Sequence, residues 1–305
     1  MAGEPVAKQE RYFTVAVFGG VCLALLLARV FGGRSGRPCG GPPDESGPDD
    51  VRDLERALGG GSLELHYQPQ VTLCGRAAGM EALLRRRRLD GGRELPGPLI
   101  ERAERDGLMP PLTRYVLDTA IAQAAAWREE GLAVPVSVNI SPACALAPGF
   151  PVVVRDLLRG HGLPGESLTV EVTESSETRD VAALAVALAE LRGLGVRTSL
   201  DDFGTGHSSI VRLRELPLDE MKIDRSFVSR MAEDPRDAAV VRCSVDLAHS
   251  LGLDVVAEGV ESRQDVHLLE AMGVPVVQGW LVSPALPAAD ATGWLRQAEG
   301  SAQRG

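Results

Sequence analysis

From about residue 63 onward the chain repeats one device: a short apolar, β-branched run that stops at a polar, often acidic, side chain. Glu81 sits in Gly-Met-Glu-Ala-Leu-Leu-Arg, Asn139 ends Val-Ser-Val-Asn, and Glu171 lies in Leu-Thr-Val-Glu-Val-Thr-Glu. Asp201 and Asp202 follow Val-Arg-Thr-Ser-Leu, Lys222 sits in Glu-Met-Lys-Ile-Asp, Glu258 follows Leu-Asp-Val-Val-Ala, and Gln278 precedes a glycine. The runs fall near 63–71, 77–83, 134–140, 167–172, 196–201, 218–223, 253–257 and 275–279. Ala/Leu/Arg-rich helical stretches such as 111–130, 181–194 and 236–251 lie between most of them, and none separates the first two. Eight strands followed mostly by helices, in about 250 residues, predict an α/β chain folded as a closed (β/α)8 TIM-type barrel. A doubly wound open sheet is the alternative, but no Gly-rich dinucleotide turn is present.

A barrel of this kind gathers the C-terminal ends of its strands at one mouth. Glu81, Asn139, Glu171, Asp201, Asp202, Lys222, Glu258 and Gln278 would then converge. Each has a plain explanation when taken singly. Glu81 could cap a helix, Asn139 could serve a turn, Asp201-Asp202 could form an Asx-type turn, and Lys222 could pair locally with Asp224. Together they are hard to explain as structure, because an unpaired buried carboxylate costs several kcal/mol. An oxygen-rich ligand set selects a hard divalent ion, which points to metal-assisted chemistry on an anionic substrate. The net charge of -10 argues against DNA or any broad nucleic-acid face. It leaves room for a small phosphorylated ligand held through metal ions. The five cysteines show no C-x-x-C spacing, so neither a disulfide framework nor a zinc site is indicated.

The first 50 residues differ in texture. No residue from Tyr12 to Ala28 is charged, and Arg29 is followed by Val30 and Phe31. That gives about 20 residues able to span a bilayer if Arg29 snorkels. We therefore expect a tail over 1–11, a transmembrane anchor over 12–31, a Gly/Pro/Ser-rich linker over 32–50, a catalytic domain over 51–298 and a tail over 299–305. A cleaved signal peptide is the rival reading of 12–31. Arg29, Arg34 and Arg37 follow the span while Lys8 and Arg11 precede it, which favours a cytoplasmic C-terminal domain.

Nine ordered segments carry a family resemblance: Tyr67-Gln68-Pro69, Glu81-Ala82-Leu83-Leu84-Arg85, Ala103-Glu104, Asn139-Ile140-Ser141, Glu171-Val172-Thr173-Glu174, Asp201-Asp202-Phe203-Gly204-Thr205-Gly206, Lys222-Ile223-Asp224, Ala257-Glu258-Gly259-Val260-Glu261 and Gln278-Gly279. Over about residues 53–298 the chain resembles the EAL-domain cyclic di-GMP phosphodiesterases. The resemblance implies a barrel whose first strand runs antiparallel to the rest. It implies that Glu81, Asn139, Glu171 and Asp201 hold one Mg²⁺ or Mn²⁺, and that Asp201 bridges to a second ion completed by Asp202 and Glu258. The implied reaction is two-metal hydrolysis of cyclic di-GMP to linear 5′-pGpG. Glu81, Lys222, Glu174 and Gln278 are the implied catalytic group. Lys222 would orient water or stabilise charge, and Gln278 would fix the nucleophile or ligand. Arg85 would clamp a phosphate oxygen, while Gln68, Leu83 and Asp224 would also serve the substrate. Glu174 would tie down the loop from Phe203 to His207, which is linked to dimerisation in relatives, so a homodimer is expected. The apolar span and the Lys/Arg count around it, taken with this bacterial family, lead us to expect a single-pass inner-membrane protein with its catalytic domain in the cytoplasm.

Three positions depart from the family pattern: Arg86 replaces a Trp, His207 a Tyr and Trp280 a Tyr. None is an implied metal ligand. The basic run Arg85–Arg88 reads as a solvated barrel rim. A non-catalytic cyclic di-GMP receptor is the alternative function. No Gly-Gly-Asp-Glu-Phe segment is present to suggest synthesis of the nucleotide.

Overall fold

The computed structural model describes Leu58 and residues 61–87, 93–94, 96–173, 180–205 and 209–302. Its sheet begins as an antiparallel hairpin. Strand β1 (Leu63–Thr72) turns through Gly75 into β2 (Ala77–Arg87), with Gly75 at φ 83°. That left-handed position suits glycine, and Thr72 and Arg76 close the turn, with Thr72 N donating to Arg76 O at 2.9 Å. The short β3 (Arg93–Glu94) folds back onto Arg86 and Arg87.

Helices α1 (Gly97–Arg105) and α2 (Met109–Glu129) lead to β4 (Val136–Asn139). There follow α3 (Pro142–Ala145), α4 (Phe150–Gly160), β5 (Leu168–Thr173), α5 (Val181–Gly193) and β6 (Arg197–Phe203). The chain continues through α6 (Ser209–Glu215), β7 (Glu220–Ile223), α7 (Arg225–Val228), α8 (Pro235–Leu251) and β8 (Asp254–Ala257). It ends with α9 (Arg263–Met272), β9 (Val276–Gln278), β10 (Leu286–Pro287) and α10 (Ala288–Ala302).

From β2 through β4, β5, β6, β7, β8 and β9 each strand pairs parallel with the next. Strand β1 then closes the ring, antiparallel to both β2 and β9. This is the closed eight-strand barrel with a reversed first strand that the sequence suggested. The reversal follows from the direct hairpin, since a parallel β1–β2 pair would need a crossover connection.

Helix boundaries trace to local chemistry. Asp234 caps α8 by accepting from Arg236 N at 2.8 Å, Pro235 opens it, and Gly252 at φ 72° ends it. Ser262 and Asp265 form a reciprocal capping box on α9. Trp127 of α2 packs edge-to-face on Tyr67 of β1 at 5.0 Å and donates from Nε1 to Thr292 Oγ1 of α10 at 2.8 Å. That contact ties the hairpin to the first long helix and the last one.

Several strand boundaries differ from the sequence reading, and two of them have a plain local cause. The strand expected from 134 begins at Val136, because Pro135 has no N–H for the ladder; its carbonyl instead accepts from Met80 N at 3.0 Å. Strand β2 runs past 83 to Arg87 and pairs with Leu63 and Glu64 of β1, so Arg85 and Arg86 lie on a half-buried arm rather than a solvated rim. Helix α10 continues past the expected boundary at 298. Among the described residues no helix is long and apolar enough to cross a membrane. The expected anchor over 12–31 and linker over 32–50 lie outside the described residues.

The loops after β8 and β9 interlock where they leave the barrel. Val260 N donates to Gln278 O at 3.0 Å, and a Cβ on Gly279 would lie 2.2 Å from Val260 O. Gly279→Ala is therefore expected to lower the melting temperature by about 2–12 °C, the range for an overpacked site in a domain of this size. Gly293, on α10, has open space around its Cβ position. Gly293→Ala should hold or raise the melting temperature in the same calorimetric scan.

Candidate active site

Parallel neighbours in register bring successive strand ends to one height. Asn139 stands beside Glu171, and Thr173 beside Asp201. On the hairpin, Gln68 lies opposite Glu81. Most of the side chains that the sequence singled out converge there.

At the centre is Lys222 of β7, fully buried. Its Nζ lies 2.6 Å from Glu258 Oε1, 3.0 Å from Glu171 Oε2, 3.3 Å from Asp201 Oδ1 and 3.4 Å from Glu81 Oε2. Burial alone would depress the lysine pKa, but the four carboxylates outweigh it and hold the pKa well above its ordinary value. One ammonium cannot balance four acids. Burial, with repulsion from Glu81 and Asp201, pushes the Glu171 carboxyl well above the usual range against the pull of Lys222. Glu258 is pushed up in the same way. At Glu81 burial also acts upward, yet Lys222 and hydrogen bonds from Gln278 and Asn139 bring its pKa below the ordinary value. Asn139 Nδ2 donates to Glu81 Oε1 at 2.8 Å.

Asp202 is the one non-glycine residue with positive φ, 57°, among the described residues. Such a conformation is uncommon outside glycine and clusters at functional positions. It sets Asp202 next to Asp201, whose Oδ1 accepts from Asp202 N at 3.0 Å. Burial, then the charges of Asp201 and Asp224, push the Asp202 carboxyl up to about 8.

The acids form two groups that share one member. Oxygen atoms of Glu81, Glu171 and Asp201 lie within 4.8 Å of one another, and so do those of Asp201, Asp202 and Glu258. Glu171 Oε1 is buried and has no hydrogen-bond partner among the described residues. The Ser137 hydroxyl lies next to this carboxylate and favours its ionised form, yet does not complete a hydrogen bond with it. An orphaned buried oxygen, an all-carboxylate donor set and excess negative charge together fit hard divalent cations. Asn139 adds an amide beside the first group.

Above the acids lies a cleft of about 180 Å³. Gln68, Glu81, Leu83, Asp201, Glu258 and Gln278 line it, as expected. Gln278 Nε2 donates to Glu81 Oε2 and to Gln68 Oε1, the latter at 3.2 Å, and Gln68 Nε2 donates to Ser283 O at 3.0 Å. Two expected substrate residues are not among those that line it. Arg85 is on the same face of β2 as Glu81 and Leu83, but its Nη1 donates to Leu84 O at 2.8 Å and it does not line the cleft. Asp224 caps α7, accepting from Ser226 N at 2.9 Å. Glu174 and His207 lie outside the described residues.

Arg225 also lines the cleft and was not singled out by the sequence. Its guanidinium carbon sits 5.9 Å from the centroid of the Trp280 ring, a cation–π distance, and its Nη2 is 3.5 Å from Glu261 Oε1. Trp280 is 54% exposed at the rim. Gly259 makes this approach possible, since a Cβ there would lie 2.3 Å from Arg225 Cβ. The only local signal for Arg225 was its place two residues beyond a strand end.

Comparison with known proteins places this arrangement. The family model described as the EAL domain matches residues 51–285. The bifunctional diguanylate cyclase/cyclic di-GMP phosphodiesterase MucR of Pseudomonas aeruginosa is 40% identical over 240 residues, which is 78% of this chain and 35% of that protein. Cyclic di-GMP phosphodiesterase PA2567 of the same organism is 35% identical over 249 residues, 81% of this chain and 42% of that protein. The matched stretch thus covers less than half of either relative. Among solved structures, the PaMucR phosphodiesterase in complex with c-di-GMP superposes with a TM-score of 0.75 at 40% identity, covering 79% of this chain and 98% of that one. The family match takes in every strand of the barrel and both carboxylate groups at its mouth, and the chain belongs to the EAL domain family.

Proposed function

We propose that the chain hydrolyses cyclic di-GMP to linear 5′-pGpG, with two divalent ions of Mg²⁺ or Mn²⁺. The observation that carries this reading is the pair of carboxylate groups sharing Asp201 at the base of the cleft. Glu81, Asn139, Glu171 and Asp201 would hold one ion, and Asp201, Asp202 and Glu258 the other. Bound there, the ions would supply Lewis acidity toward the phosphodiester and a water acidic enough to attack phosphorus. The water oxygen bonds to phosphorus, the bond to the ribose 3′-oxygen breaks, and the products are a 5′-phosphate and a 3′-hydroxyl. The Lys222 ammonium, held protonated by its acids, donates hydrogen bonds and offsets developing charge rather than accepting a proton. Gln278 holds Glu81 through one amide hydrogen. Gln68 and Leu83 line the cleft for the ligand, and Trp280 with Arg225 adds an aromatic and cationic contribution to its lining.

The relatives support the reading. MucR and PA2567 bear phosphodiesterase names, and a solved relative holds c-di-GMP. A receptor without activity would not need the full set of acids. We further propose a single-pass anchor through residues 12–31 and a homodimer, on sequence grounds.

The test is incubation of the full chain with cyclic di-GMP in Mn²⁺ or Mg²⁺, with products separated by chromatography. Accumulation of 5′-pGpG, abolished by chelator, is the expected result. Tight binding without turnover would overturn the enzymatic reading in favour of a receptor.

A further inference from the structure

We propose that Gln70 is a positioning residue for this site: it fixes the amide orientation of Gln278 and thereby holds Glu81. Strand β1 places Gln70 opposite Gln278 of β9 on one side and opposite Gly79 of β2 on the other. Gln70 is 6% exposed and does not line the cleft. Its Nε2 donates to Gln278 Oε1 at 3.0 Å, a bond buried from solvent.

The consequence follows from donor and acceptor counting. A glutamine amide has one accepting and one donating end. With Oε1 of Gln278 held by Gln70, its NH₂ faces Glu81 Oε2 and Gln68 Oε1. A flipped Gln278 would set its oxygen against the Glu81 carboxylate, acceptor against acceptor, and would leave Gln70 donating to nothing. Each mismatch is costly in a buried site. Gly79 makes the seat for Gln70: a Cβ there would lie 2.5 Å from Gln70 Oε1 and 3.7 Å from Pro135 O. The glycine and the amide are thus one device, two steps from the acid they orient.

The competing view makes Gln70 a satisfied buried amide with no bearing on Glu81. Gln70→Met decides between them, because methionine keeps the length and removes the donor. In the full chain, the Gln278 side-chain amide resonances are identified by their loss in Gln278→Leu. They should shift in Gln70→Met. Mn²⁺ affinity, by calorimetry, should fall on the order of 10- to 100-fold, the usual effect of losing a partner behind a ligand. Gly79→Ala, which displaces the Gln70 amide, should reproduce both changes. Adding Gln70→Met to Gln278→Leu should cause no further loss of Mn²⁺ affinity, since the two act in series. Unmoved Gln278 resonances in Gln70→Met, or independent effects that multiply, would overturn the inference. The metal readout rests on the proposed two-ion reading, but the resonance shift does not. Wild type that binds no Mn²⁺ would therefore sink that reading while the amide shift still decides the role of Gln70.

Discussion

Lys222→Met is expected to lower the melting temperature in chelator by roughly 6 to 20 °C, and Mg²⁺ or Mn²⁺ should restore most of the loss. The ammonium is fully buried and lies within 3.4 Å of oxygens from four acids, on β2, β5, β6 and the loop after β8. Removing one partner from a buried ion pair costs about 3–5 kcal/mol, because it leaves charge without compensation. Each kcal/mol moves the midpoint of a domain this size by about 2–4 °C. A divalent ion binding only the folded state adds stability in proportion to the logarithm of its concentration, and it meets the same charge deficit.

The pH dependence of that loss has a definite sign. Glu171 and Glu258 already titrate above the usual carboxylate range in the folded protein, with burial the largest cause. A carboxyl raised on folding stabilises below its unfolded pKa, and that contribution is lost as pH rises through the folded value. Without Lys222 both acids are raised further. The gap between variant and wild type should then widen in chelator as pH rises from the ordinary carboxylate range into the alkaline range. A variant melting with wild type across that range would show that the acids neutralise themselves, and that Lys222 does not hold the mouth together.

Much of this site was legible in the sequence because strand ends and side-chain alternation are local facts. Glu171 and Asp201 each follow an apolar run, and parallel registry then sets Glu171 beside Asn139 and Asp201 beside Thr173, two residues further on. What closure of the barrel contributes was not local. Taken alone, Lys222 was compatible with a pairing to Asp224, two residues on. In the fold it reaches Glu81, Glu171, Asp201 and Glu258, while Asp224 caps α7. The arginines after Leu84 hid the length of β2, since a charged run breaks the apolar alternation that marks a strand. Arg225 carried no apolar pattern to mark it. Its place at the rim depends on Gly259 and Trp280, which follow two other strands.

Asp201 should be the most damaging single position for catalysis, because it alone belongs to both carboxylate groups. Asp201→Asn keeps the shape and one accepting oxygen. The bonds now made by Asp202 N at 3.0 Å and Lys222 Nζ at 3.3 Å can therefore persist in part, and the fold should survive. What disappears is the negative charge common to the two groups. The proposed hydrolysis of cyclic di-GMP should fall by on the order of 10³-fold or more. Glu258→Gln makes the informative contrast, since Glu258 belongs to one group only. In a Mn²⁺ titration of the full chain, Glu258→Gln should weaken one binding event and spare the other. Asp201→Asn should weaken both. An Asp201→Asn protein that kept one event at wild-type affinity would break the shared-ligand argument, and the two acidic groups would have to be treated as independent sites.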